Sequence, residues 1–136
     1  AGCQHCHSHP AVMRITALLH ATFLVADLAR AQDFYETTLG LHPSPERPDL
    51  GYPGVWYDIG PGQQLHLMQL PNPETGLQRP THGGRDRHVA LAVNDLAALE
   101  HALRTANLNY TTSKSGRRAL FCRDTDDNAL EFIEVL

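Results

Sequence analysis

Apolar residues recur along this chain in two spacings, and these spacings follow the same order in both halves. Residues 15–25 alternate as a half-buried strand does, and Asp27 then stands where a helix N-cap belongs. Helical spacing follows up to Gly40, carried by Leu28, Ala31, Phe34, Tyr35 and Leu39. Three short strands are predicted next, at residues 41–44, 54–59 and 63–70. The first half is therefore predicted to be βαβββ.

The second half repeats this order. A strand is predicted at 87–93, an N-cap at Asp95, a helix at 96–106, and strands at 110–112, 118–123 and 129–135. Residues 71–84 between the halves are rich in Pro and Gly, which is typical of a surface connection. The predicted fold class is α+β: one domain at 13–136 built from tandem βαβββ modules, module one at 13–70 and module two at 85–136. Residues 1–12 lack any core pattern and are expected to form a disordered extension.

The duplication places four candidate metal ligands in two matching pairs. His20 and His88 open equivalent strands, and His66 and Glu131 lie on the last strand of each module. Because alternate side chains of a strand share a face, all four are expected to point away from the helix of their own module. Two sheets that curl around this face would bring the four groups into one concave cavity. Imidazoles and a carboxylate with open positions suit Zn, Ni, Fe or Mn.

Composition narrows the class of function. A net charge of −4 at pH 7, without a stripe of Lys or Arg, argues against nucleic-acid binding. No apolar run is long enough to span a bilayer, so we expect no membrane association. Three cysteines, Cys3, Cys6 and Cys122, give no disulfide framework and favour a reducing, cytoplasmic location. Residues 3–7 match a Cys-x-x-Cys-His haem pattern, which we interpret as part of the extension at residues 1–12 and not as a haem or zinc site.

Four segments carry a resemblance to a known superfamily. They are residues 19–20, residues 33–41 (Asp-Phe-Tyr-Glu through Leu-Gly-Leu), residues 88–93 (His-Val-Ala-Leu-Ala-Val) and residues 121–131. Together they resemble the vicinal oxygen chelate superfamily, which includes glyoxalase I, extradiol dioxygenases, fosfomycin-resistance enzymes and bleomycin-binding proteins. In that superfamily the last segment commonly contains Asp-Pro-Asp-Gly-Asn before a ligand Glu. Here Thr125 replaces the Pro and Asp127 the Gly, while Asn128 and Glu131 are kept.

The resemblance implies that His20, His88 and Glu131 bind a divalent metal ion. Glyoxalase I carries a glutamate at the position of His66, where it both binds the metal and moves a proton. His66 can be a fourth ligand or an acid–base residue, and both interpretations stay open here. We therefore predict His66 and Glu131 as catalytic residues.

The leading functional prediction is a metal-dependent lyase or isomerase of the glyoxalase type, acting on a small substrate that chelates the ion through neighbouring oxygens. The alternatives are an iron-dependent extradiol-type dioxygenase and a non-catalytic drug-binding protein. Substrate contacts are predicted at Arg118, Trp56 and Phe121, whereas His42, His82 and His101 are expected to be exposed and without a role. The resemblance also implies a homodimer whose site combines His20 and His66 of one chain with His88 and Glu131 of the other.

Overall fold

The computed structural model describes residues 11–136 and has two sheets, one in each half of the chain. In the first half, β1 (His20–Val25) leads into helix α1 (Leu28–Gln32), which continues as a π-helical segment (Asp33–Thr38). Strands β2 (Gly54–Ile59) and β3 (Gln63–Gln69) follow. The sheet order is β1-β3-β2, with β1 parallel and β2 antiparallel to the central β3.

The second half has the same plan with one more strand. A 3-10 turn (Gly83–Arg85) precedes β4 (His88–Val93), α2 (Leu96–Thr105), β5 (Tyr110–Thr112), β6 (Ala119–Arg123) and β7 (Ala129–Glu134). The sheet order is β4-β7-β6-β5, and β4 is again parallel to the last strand of its module. The predicted α+β class with two curved sheets is confirmed.

The two helices begin in the same way. Asp27 and Asp95 are the N-caps, and each carboxylate accepts a hydrogen bond from the backbone N–H three residues later. The last residues of β3 and β7, Gln69 and Glu134, add a second matching contact. Each accepts a bond from the N–H of the first residue of its module's helix, at 2.9 and 3.2 Å. The duplication therefore extends to the hydrogen bonds that fix each helix on its sheet.

Two predicted strand segments of module one are wrong. Residues 15–19 are not strand, and Ile15 is 90% exposed. The neighbouring β3 explains this, because its pairing with β1 begins at His20 opposite Gln64 and the residues before His20 have no paired strand residue opposite them. Residues 41–44 form only one isolated bridge, between Pro43 and Tyr57. A proline has no N–H to extend a ladder, so the fourth strand of this module does not form.

The core lies between the helices and the strand faces that carry leucine and phenylalanine. Leu65 and Leu67 of β3, and Leu130 and Phe132 of β7, are at most 3% exposed. Since side chains alternate along a strand, the residues between them, His66 and Glu131, project from the opposite face of their sheets. The alternation along β3 and β7 thus sets the directions of His66 and Glu131, the candidate ligands on the last strand of each module.

The turn between β6 and β7 connects module two to module one. Asp124 is buried, and its carboxylate accepts bonds from the Tyr35 hydroxyl at 2.7 Å and the Asn128 amide at 2.9 Å. Asp126 accepts a further bond from the backbone N–H of Ala26 at 2.9 Å. Asp127 takes a positive φ of 63°, a conformation that Asp tolerates better than most residues other than glycine. Asp127 in place of the Gly of the Asp-Pro-Asp-Gly-Asn pattern is therefore compatible with the turn.

Cys122 of β6 is a buried free thiol, whereas Cys3, Cys6 and the Cys-x-x-Cys-His pattern lie outside the described residues. Within residues 11–136, no helix is both long and apolar enough to cross a membrane.

Candidate metal centre

His88 and Glu131, which we call the second half-site, converge on the open face of the second sheet. Glu131 lies opposite Ala90, a small residue that shares the face of His88 and leaves room between the two side chains. The Nε2 atom of His88 is 3.3 Å from the Oε1 atom of Glu131, and the Glu131 side chain is only 5% exposed. Two ligands each about 2.1 Å from a tetrahedral zinc lie about 3.4 Å apart. The observed separation therefore fits a shared ion.

The tautomer of His88 also fits a metal ligand. Its Nδ1 atom lies 2.9 Å from the backbone carbonyl oxygen of Asp86. A carbonyl can only accept, so Nδ1 carries the hydrogen, and in the neutral ring Nε2 carries the lone pair. That lone pair faces a carboxylate, an arrangement stabilised by a proton or a cation between the two atoms. In metal-binding histidines, the ring nitrogen that does not bind the metal commonly donates a hydrogen bond like this one, which fixes the orientation of the ring.

Asp86 is itself held firmly. Its carboxylate accepts hydrogen bonds from Arg79 at 3.2 Å and from Arg123 at 2.8 Å. Burial alone would raise the pKa of Asp86, but the hydrogen bond from Arg123 and the nearby charges outweigh it and lower the pKa. The carboxylate therefore stays charged over the neutral range, and the backbone that orients His88 is anchored by two ion pairs.

His20 and His66, which we call the first half-site, are arranged differently. Their rings stack at 4.2 Å between centroids with an interplanar angle of 14°. Trp56 covers the other face of His66 at 4.3 Å and 6°. Ring lone pairs lie in the ring plane, so the lone pairs of two stacked rings do not converge on one point between them. One ring has to turn before both can bind the same ion.

The surroundings of His66 favour the neutral form of its ring. Burial, and then the neighbouring His20 and Arg47, lower the pKa of His66 below its usual value. Its Nε2 atom lies 2.9 Å from the Oε1 atom of Gln64. The first half-site opens onto a cleft of about 600 Å³, lined in part by Trp56 and Tyr52.

The residues predicted as substrate contacts lie in different parts of the structure. Trp56 lines the cleft. Phe121 makes T-shaped contacts with the rings of His82 and His88, at centroid distances of 4.8 and 5.2 Å. Arg118 pairs with Glu134, whose side chain projects from the face of β7 opposite to that of Glu131.

Arg117, next to Arg118, is the arginine near the second half-site, 3.8 Å from the Oε2 atom of Glu131. Strand parity could have identified it, because Arg117 lies an even number of residues before Phe121, which pairs with Glu131. His82 was expected to be exposed, but it is half-buried and hydrogen-bonded to Thr111 at 2.8 Å.

The four candidate ligands thus form two pairs, one on each sheet. Among residues 11–136, no three His, Cys, Asp or Glu side chains lie close enough together to hold one metal ion. A single chain therefore presents two half-sites, and each contains part of the predicted ligand set.

Comparison with known proteins identifies the family. The sequence model described as Glyoxalase/Bleomycin resistance protein/Dioxygenase superfamily matches residues 17–132. The chain belongs to this superfamily. The lactoylglutathione lyase of Haemophilus influenzae is 29% identical over 124 residues, which cover 86% of this chain and 91% of that protein.

Two further relatives show the breadth of the superfamily. Glyoxylase I 4 of Arabidopsis thaliana is 24% identical over 98 residues, 72% of this chain, and the match spans 56% of the length of the plant protein. TnmS3, an antibiotic binding protein from Streptomyces sp. CB03234, has a solved structure that superposes with a TM-score of 0.68 at 19% identity. That match covers 92% of this chain and all of the other. It shows the shared fold alone.

Proposed function

We propose that this protein is a metal-dependent lyase or isomerase of the glyoxalase I type. Its substrate would be a small molecule whose two neighbouring oxygens chelate a divalent Zn, Ni, Fe or Mn ion. The observation that carries the proposal is the second half-site, where His88 and Glu131 converge at the spacing of two ligands of one ion. The similarity to a lactoylglutathione lyase along most of the chain supports the reaction class.

We propose further that the complete centre forms between two copies of the chain. The two half-sites lie on separate sheets, and each offers only two candidate ligands. In a two-fold dimer, the first half-site of one copy can face the second half-site of the other, and symmetry then creates two equal centres. His20 and His66 of one subunit would complete the set begun by His88 and Glu131 of its partner.

The residues would divide the chemistry in the following way. His20, His88 and Glu131 hold the ion, whose role when bound is to stabilise negative charge on the substrate oxygens. His66 is the fourth ligand or the base that moves a proton between adjacent substrate carbons, and its lowered pKa keeps a lone pair available near neutral pH. Glu131 is nearly buried, which strengthens its interaction with a cation. Trp56 forms one wall of the cleft and excludes water from one face of His66.

A second candidate is an iron-dependent extradiol-type dioxygenase. The stack of His66 between Trp56 and His20 favours it, because a His66 that stays in this stack leaves His20, His88 and Glu131 as a set of two histidines and one carboxylate. Oxygen consumption with a catechol, together with bound iron, would support this reading over the lyase. A drug-binding protein is the third candidate, and it predicts that metal removal leaves ligand affinity unchanged.

The proposed centre is tested by elemental analysis and by mixing of variants. His20→Ala and Glu131→Gln should each lose bound metal and turnover of methylglyoxal with glutathione. When the two variants are unfolded together and refolded, each mixed dimer regains one intact centre, so about a quarter of all sites should recover. Recovery of none would contradict a shared centre, and unchanged metal content in both single variants would remove the metal proposal itself.

A further inference from the structure

We infer that Gln64 and Asp58 are positioning residues that fix the His66 ring so that Nδ1, and not Nε2, is the nitrogen offered to the centre. The inference rests on the proposed function only for the use made of that nitrogen. The orientation of the ring follows from contacts within the first sheet.

The plane of the His66 ring is fixed by stacking. Trp56 lies against one face at 4.3 Å and His20 against the other at 4.2 Å, and both rings are within 14° of parallel. Since His66 is only 9% exposed, tilting the ring out of this stack would displace a neighbour. The freedom that remains is a half-turn about the Cβ–Cγ bond, which keeps the ring plane and exchanges Nδ1 with Cδ2 and Nε2 with Cε1.

Hydrogen bonds choose between these two orientations. Asp58 is paired with Gln64 across β2 and β3, and its Oδ1 atom accepts a bond from the Gln64 side-chain Nε2 at 2.9 Å. A carboxylate only accepts, so the amide nitrogen of Gln64 must face Asp58 and its oxygen must face His66. The His66 Nε2 atom is 2.9 Å from that oxygen and therefore carries the hydrogen. In the neutral ring the lone pair is then on Nδ1.

The second half-site has the opposite arrangement. There Nδ1 of His88 donates to the carbonyl of Asp86 at 2.9 Å, and Nε2 faces the carboxylate of Glu131. One half-site therefore offers Nε2 and the other Nδ1. Each choice is made by a hydrogen-bond acceptor two residues earlier on the same chain, a backbone carbonyl in one case and a side-chain amide in the other.

The tautomer can be measured directly in the metal-free protein. Long-range ¹H–¹⁵N spectra separate protonated from unprotonated ring nitrogens, and the His66 signals are assigned by their loss in His66→Gln. We expect a protonated Nε2 and an unprotonated Nδ1 for His66. The reverse pattern, or an even mixture of tautomers in the wild-type protein, would overturn the inference.

Variants test what sets the tautomer. Gln64→Leu removes the acceptor and should turn the single tautomer into a mixture, whereas Gln63→Leu makes the same change at the next residue, whose side-chain amide bonds Leu18 instead. Asp58→Asn, which frees the Gln64 amide to turn, should have a smaller effect of the same kind. A His66 spectrum unchanged in both Gln64→Leu and Asp58→Asn would contradict a positioning role.

Addition of Zn²⁺ then tests the ligating atom. We expect the His66 Nδ1 signal to move while the Nε2 proton stays, and we expect Gln64→Leu to weaken zinc affinity about tenfold. A zinc-dependent shift at Nε2 with loss of its proton would overturn the assignment of Nδ1. Absence of any zinc effect on the His20, His66 and His88 signals would instead contradict the proposed function, and the metal-free spectra would still decide the tautomer.

Discussion

The two half-sites occupy equivalent places in a duplicated fold, yet the two candidate ligands converge only in the second. Glu131 and His88 already converge at 3.3 Å, while His20 and His66 lie in a parallel stack. The strands that carry the candidate ligands pair in the same register in both sheets and the helices are capped alike, so the backbone does not explain the contrast. The difference arises from the side chain on the last strand.

An aromatic residue faces that side chain in both modules. Trp56 pairs with His66, and Phe121 pairs with Glu131 at the same register. A flat imidazole opposite an indole stacks on it, whereas a carboxylate opposite a phenyl ring has no such contact and remains available to His88. A histidine in place of a carboxylate at one position of the repeat therefore decides whether the two candidate ligands of that half-site converge.

The largest expected effect on zinc affinity comes from removing the carboxylate of the second half-site. Glu131→Gln should weaken zinc affinity by more than about 100-fold, because a charged ligand is lost, while His66→Gln in the first half-site should weaken it about tenfold. Glu134→Gln is the matched control, since an amide oxygen still accepts the bond from Leu96. Isothermal titration with Zn²⁺ gives all three affinities. Equal losses in Glu131→Gln and His66→Gln would remove the distinction between the half-sites.

A smaller effect is expected at the support of the second half-site. Asp86→Asn weakens the pairs with Arg79 and Arg123 that hold the carbonyl bound to His88. We expect about a tenfold loss of zinc affinity and a fall of about 1–2 kcal/mol in the free energy of unfolding. Asp33→Asn, on an exposed helical position, is the control. An Asp86 variant that binds zinc like the wild type would show that the carbonyl is positioned by other contacts.

The sequence allowed the duplication, the helix caps and the directions of the four candidate ligands to be predicted, since each depends on spacing within a few residues. Parity placed His66 and Glu131 opposite the leucine-rich faces of their strands, as the structure has them. Residues 15–19 and 41–44 were predicted wrongly because a strand also needs a partner, which local alternation does not reveal.

The side-chain orientations within the site could not be predicted from the sequence, for a different reason. Whether His66 stacks on Trp56 or turns toward an ion depends on side-chain rotamers set by three strands at once. The carbonyl of Asp86 carries no sequence signal at all, because every residue has one. Arg117 could have been chosen over Arg118 by extending the parity argument beyond the end of β6.

A smaller effect is expected at the turn between β6 and β7, where a buried hydrogen bond to module one can be compared with an exposed one. Tyr35→Phe removes one of the hydrogen bonds to the buried carboxylate of Asp124 and should lower the free energy of unfolding by about 1–2 kcal/mol. Tyr110→Phe removes a hydroxyl that bonds Glu100 and Arg104 near the surface, and should cost less. Urea titrations compare the two variants. An equal loss in both would mean that burial of the Asp124 contact adds nothing.

The smallest expected effect is a dependence of stability on pH that belongs to the first half-site. Because burial, and then His20 and Arg47, lower the pKa of His66 in the folded chain, the unfolded chain binds more protons just below the usual histidine pKa of about 6.5. Stability therefore falls as the pH falls through that window. His66→Gln should flatten the decrease in Tm between about pH 7 and about pH 5.5, whereas His42→Gln, at an exposed position, should leave it unchanged. A decrease that persists in His66→Gln would mean that the acid sensitivity lies outside the stack of His20, His66 and Trp56, and that the stack tolerates a charged imidazole.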